Sequence, residues 1–206
     1  MSVAPRVLGG LLALLLLSRP AFGQDVRLQA RLDKPTMVAV NAIVDSARVA
    51  KLPTAPLVDK ALEGAAKGSD GPKIVAAVHQ LSMRMSSAKR VLGTTSSSDE
   101  IKAAAAAIDA GVSVRDLARL RAAAGKRPIT MPLAVLSDLI GQGVPISSAT
   151  DLVVQLAKSG VRDTDLAMFQ RNVRSDIGQG ADPTVAASTR VRGLVLRSGP
   201  APRPSE

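Results

Sequence analysis

The chain has 206 residues, 27 lysines and arginines against 17 acids, a formal net charge of +10, one histidine and no cysteine. It therefore makes no disulfide, does no thiol chemistry and carries no lipid-modified cysteine. With no Trp, no Tyr and two Phe, it also lacks the stacking platforms of sequence-specific single-stranded nucleic-acid binders and of typical carbohydrate sites.

Residues 1–23 read as an export signal that is cleaved after Gly23. Arg6 gives the positive start, 7–17 is an unbroken apolar run, and Ala21, Phe22 and Gly23 put small residues at the cleavage positions. That run falls short of the roughly 20 residues a permanent membrane helix needs, and no later segment approaches that length, so no transmembrane segment is expected after signal removal. The mature chain then carries a formal charge of about +8, and its core must be Leu, Val, Ile, Met and Ala, which favours closely approaching helices over a sheet.

Residues 24–35 alternate Val26, Leu28, Ala30 and Leu32 with polar neighbours and are expected to form an extended or frayed N-terminal arm. The first helix is expected over 36–51, with Val40, Ile43, Val44 and Ala47 inward, and a second over 55–67. In that second helix Glu63 and Lys67 are spaced i, i+4, and Gly68 is placed to close it. Gly64 is costly inside a helix, by about 1 kcal/mol against alanine, and points to a close backbone crossing. The string Leu52-Pro53, Pro56-Leu57, Lys60, Glu63-Gly64, Lys67-Gly68 resembles a segment of uncharacterised exported bacterial all-helical proteins. The resemblance covers under a tenth of the chain and implies no activity.

The longest helix is expected over 72–92. Ile74, Val78, Leu81, Met85, Ala88 and Leu92 form a heptad-like seam suited to the centre of a bundle or to a second chain. The linker 93–98, GTTSSS, is the expected hinge, and Ser97 with Glu100 forms a capping box for the next helix. From there one unit recurs: helix, glycine turn, capped helix. Gly111, Gly143, Gly160 and Gly180 mark the turns, Ser113, Ser148 and Asp182 the caps, and Pro183 a first helical position. Phe169, with Leu166, Ala167 and Val173 on its side of a helix over 164–177, is expected to be buried. After Gly193 the chain grows rich in Pro, Ser and Arg, and 194–206 is expected to be a disordered tail. The fold class is all-α: eight or nine helices in one domain over 36–193, as consecutive antiparallel hairpins in a compact bundle or short α-solenoid.

Chemistry is scarce. His79 is the single histidine and lies mid-helix, so no nucleophile triad and no catalytic set emerges. Metal ligands at useful spacing are missing, Asp163 and Asp165 are explained by a helix start, and no cofactor is implied. Gly141-Gln142-Gly143 and Gly178-Gln179-Gly180 end helices rather than follow strands, so neither is a phosphate loop. The strongest functional signal is basic: Arg115, Arg119, Arg121, Lys126 and Arg127, five cations in 13 residues with one acid, Asp116. The sequence therefore suggests a non-catalytic, exported interaction or scaffold module that binds an envelope or extracellular protein. The alternatives are electrostatic binding to an anionic membrane surface or cell-wall polymer through the basic segment, and an unrecognised carboxylate-dependent enzyme. It identifies neither the partner nor the oligomeric state.

Overall fold

The computed structural model describes residues 26–198, and every regular element among them is helical. The N-terminal arm departs from expectation. Val26–Gln29 is a helical turn, α1, in which the Leu32 N–H donates to the Leu28 carbonyl at 2.9 Å. Leu28 is fully buried while Val26 and Ala30 are exposed, so the pairing that matters is Leu28 with Leu32 at i, i+4 and not the period-two alternation. The signal-peptide reading of 1–23 falls on residues outside those described.

Helix α2 (Lys34–Val49) starts two residues early because Asp33 caps it, accepting from the Thr36 N–H at 2.8 Å and the Thr36 hydroxyl at 3.0 Å. It ends with Lys51 at φ 55, after which the Leu52 N–H returns to the Ala47 carbonyl and Leu52 is buried. Lysine here occupies the left-handed position that usually takes glycine.

Helix α3 (Ala55–Ala66) crosses α4 (Gly71–Leu92) at Gly64, as its cost in a helix suggested. A Cβ on Gly64 would lie 2.8 Å from Ile74 Cγ1. Ile74 is buried and stiff at χ1, so it yields poorly. Gly64→Ala is therefore expected to lose about 1 kcal/mol of stability, overpacking outweighing the gain in helix propensity. An unchanged or higher urea midpoint would show that Ile74 relaxes. The rest of the segment quoted for the family resemblance is also structural: Glu63 bridges Lys60 and Lys67 on the surface, and Gly68 (φ 68) closes α3. In α4 the seam residues Ile74, Val78, Met85, Ala88 and Leu92 are buried, and His79 is exposed on a neighbouring face.

The remaining helices are α5 (Ser98–Asp109), α6 (Val114–Ala124), α7 (Thr130–Gly141), α8 (Ile146–Lys158), α9 (Asp163–Gly178) and α10 (Pro183–Ser198). The recurring turn is one hydrogen-bonded device. After Gly111, Gly143 and Gly160, at φ 96, 93 and 69, the next residue donates back to a carbonyl five positions earlier. That residue is Val112, Val144 or Val161, and each is buried. One cap moves: α8 begins at Ile146 behind Pro145, not at Ser148, because Val144 is already buried and the proline φ of −53 leads straight into the helix. The tail begins later than 194, since Val191 and Leu194 are buried on α10 and extend its apolar stripe; 199–206 lie outside the described residues.

Helices α2, α4, α6, α8 and α10 pack side by side in that order, and α5, α7 and α9 form a second row. Within the first row, starts meet starts. Gly71 at the head of α4 abuts Thr36, Gly111 before α6 abuts Ile146, and Gly143 before α8 abuts Pro183. Ends also meet ends: the Lys89 ammonium of α4 donates to the Ala50 and Lys51 carbonyls at the end of α2, at 2.7 and 3.0 Å. Arg127, just beyond α6, donates to the Ala157 carbonyl at the end of α8.

The core has two clusters. One joins α1–α4 with Ile101 and Ala105 of α5, and the other joins α5–α10 with Ala88 and Leu92 of α4. Between α4 and α5, the linker proposed as a hinge is held by the Ser96 hydroxyl, which donates to the Gly93 carbonyl at 2.7 Å, and by Ser97, which caps α5.

Candidate functional site

The basic segment flanks the turn between α6 and α7, and its five cations have different roles. Arg119 ties α6 to α8, contacting Asp116 at 3.0 Å and Asp151 at 2.8 Å. Those carboxylates hold the guanidinium above its already high pKa, Asp151 first. The Ser113 hydroxyl and then Arg119 hold Asp116 below the usual carboxylate range.

Arg121 points inward. Its guanidinium contacts Glu100 at 3.4 Å and donates to the carbonyls of Gly125 and Arg127, closing the end of α6. Arg127 donates to Ala124 at 3.2 Å and to Ala157, so one cation serves the ends of both α6 and α8. A cation against unpaired helix carbonyls is favoured by both hydrogen bonding and the helix dipole. Arg115 and Lys126 are exposed; Arg115 acts on Asp116 only through its charge, and among the described residues Lys126 has no carboxylate partner.

Glu100 has a role the sequence reading missed. It forms the expected capping box with Ser97, at 3.0 and 3.1 Å, yet it is also buried, and its second oxygen accepts the N–H of Ile129 at 3.0 Å. That bond substitutes for the side-chain cap that α7 lacks, since Ile129 at its head offers no side-chain acceptor. One carboxylate thus joins the start of α5, the end of α6 and the start of α7. A buried N–H 29 residues away leaves no local mark in the sequence; the only available signal was a carboxylate beside an alanine-rich core segment.

Around this junction three clefts open in succession along the edge where the first-row helices end. The first, about 680 Å³, lies between the ends of α4 and α6 and is lined by Leu92, Thr95, Ser96, Lys126, Pro128 and the Glu100–Arg121 pair. The second, about 220 Å³, lies between the ends of α6 and α8 beneath Arg127. The third, about 510 Å³, lies between the ends of α8 and α10, with Arg162, Met168 and Arg197. Arg162 is paired with Asp165 at 2.9 Å.

Among the described residues no group of three or more His, Asp or Glu is placed to hold a metal ion, and no helix is long and apolar enough to cross a membrane. The displaced carboxylates are helix caps or ion-pair members. Asp33 is lowered first by the Thr36 N–H, Asp70 by Lys73 and Asp176 by Arg190, while Glu63 is lowered to about 2, first by Lys67. Because each folded-state pKa lies below its unfolded value, these groups stabilise the fold fully above ordinary carboxylate pKa values, and that contribution fades as pH falls through the folded values. The thermal midpoint is therefore expected to hold level from pH 7 to about 5 and to decline steadily between about 4 and 2. A midpoint that rose on acidification would show that repulsion among other groups dominates.

Compared with known proteins, the chain matches no family model, no curated protein and no solved structure.

Proposed function

We propose that the chain is a non-catalytic, exported helical module that binds an envelope or extracellular protein, built as a short α-solenoid of antiparallel hairpins. The observation that carries this reading is the succession of three clefts along one edge, between the ends of α4 and α6, α6 and α8, and α8 and α10. Stacked helical repeats offer partners an extended, notched surface of this kind. Export rests on the sequence of residues 1–23.

The positions of the displaced carboxylates, in caps and ion pairs rather than in a cleft with a second acid, favour binding over hydrolysis. Electrostatic attachment through the segment 115–127 takes second place, because Arg119, Arg121 and Arg127 are engaged within the fold.

The test is cross-linking of the purified 24–206 chain to proteins of its own cell envelope, followed by mapping of the linked lysines. A saturable partner linked through Lys126 and Lys158, and weakened by Thr95→Trp in the first cleft, is expected. Links scattered over all faces, or a partner indifferent to Thr95→Trp, would overturn the assignment of this edge.

A further inference from the structure

The five helices of the first row begin at one edge and end at the other, and their charges divide accordingly. Asp33, Asp70 and Asp182 cap the starts of α2, α4 and α10, Asp116 lies in the first turn of α6, and Asp151, bonded by Arg119, lies in the second turn of α8. Lys51, Lys89 and Arg90, Lys126, Lys158 and Arg197 lie at or just beyond the ends of the same helices, in the same order. Apart from Asp151, these placements obey one local rule, acids at helix starts and cations at helix ends. In isolated or antiparallel helices the rule scatters charge; repeated in five helices with their ends together, it creates one basic edge.

Among the described residues these six cations meet no carboxylate. Lys89 donates to backbone carbonyls and Arg90 to the Ser87 hydroxyl. The acids on the same edge are largely satisfied: Asp45 by Arg48, Asp99 by Lys102, Glu100 by Arg121 and Asp165 by Arg162, leaving Asp163. The edge therefore carries excess positive charge. On the opposite edge Asp33 and Asp182 bond to backbone N–H groups, Asp70 pairs with Lys73, and Asp116 and Asp151 share Arg119.

Resting on the interaction-module reading, we infer that the partner presents an extended acidic polypeptide segment that lies across the three clefts along this basic edge. Charge complementarity gives the sign and the clefts give the form. Packed helices are spaced roughly 8–10 Å apart, so the row spans roughly 35 Å. An extended chain advances about 3.3 Å per residue, so about eleven residues cross it, with a carboxylate about every third residue reaching a successive helix end. A flat lipid surface fits less well, because the middle of this edge is notched.

The experiment is fluorescence anisotropy of a labelled twelve-residue peptide of repeating Glu-Ser-Gly, its Gln-Ser-Gly counterpart, and co-sedimentation with phosphatidylglycerol vesicles. The purified 24–206 chain should bind the glutamate peptide and not the glutamine one, with affinity falling as salt rises. Lys126→Glu with Lys158→Glu should weaken binding at least ten-fold, whereas Lys34→Glu with Arg115→Glu, on the opposite edge, should change it less than two-fold. Equal losses from both pairs would reduce the effect to net charge and overturn the proposal, as would binding to vesicles but not to peptide. A captured envelope partner whose binding ignores salt and both edge reversals would leave the module reading standing and remove this one.

Discussion

Glu100→Ala is expected to lose about 3–5 kcal/mol of stability, the range for breaking a buried ion pair by deleting one member. Three losses coincide. The capping box at the head of α5 opens, the Arg121 guanidinium is left without its carboxylate, and the Ile129 N–H loses its acceptor in a buried setting. Glu100→Gln keeps one oxygen acceptor, enough for the Ile129 N–H or the Ser97 N–H but not for both because its amide nitrogen only donates, and should lose less than the alanine variant. Urea unfolding of both variants is the measurement. A Glu100→Ala loss under about 1 kcal/mol would place this pair with solvent-screened surface bridges.

Phe169→Ala is expected to cost a similar amount, about 3–5 kcal/mol, by a different route. Phe169 is 2% exposed, heads the fully buried side chains in size, and lies in the cluster with Leu166 and Val173, on a helix that packs against both α7 and α10. Removing its ring leaves a cavity that backbones held at both ends by glycine turns cannot easily collapse. Because the loss is one of packing, it should be insensitive to salt and to pH between 5 and 8, whereas part of the Glu100 effect is electrostatic. A thermal midpoint unmoved by Phe169→Ala would mean that the ring is solvated in solution.

Both residues were visible in the sequence, but to different depths. Phe169 was expected to be buried from three apolar neighbours on its own helix, a local pattern that burial in the fold respects. Glu100 was legible as the partner of Ser97 and no more, because its contacts with Arg121 and Ile129 span 21 and 29 residues. Gly64 stood between these cases: its cost in a helix announced a close crossing, and the identity of the crossing residue, Ile74, came only from the fold. The N-terminal arm, expected from its alternation to be extended or frayed, takes a helical turn instead, because a single pair, Leu28 and Leu32, suffices for one.

The sequence by itself determined the all-helical class, the glycine-valine turns at 111, 143 and 160 and the capping box at Ser97. Each of these is a matter of spacing within a few residues, where backbone sterics and local hydrogen bonds act. Only the tertiary structure decided what the cations do. Along the chain, Arg115 to Arg127 form one basic run; in space Arg119 bridges two helices, Arg121 and Arg127 close helix ends, and Lys126 is left facing a cleft. The distribution of the remaining charge was fixed at the same level, because a rule that places acids at helix starts and cations at helix ends sums to a basic edge only when the ends of five helices are brought together.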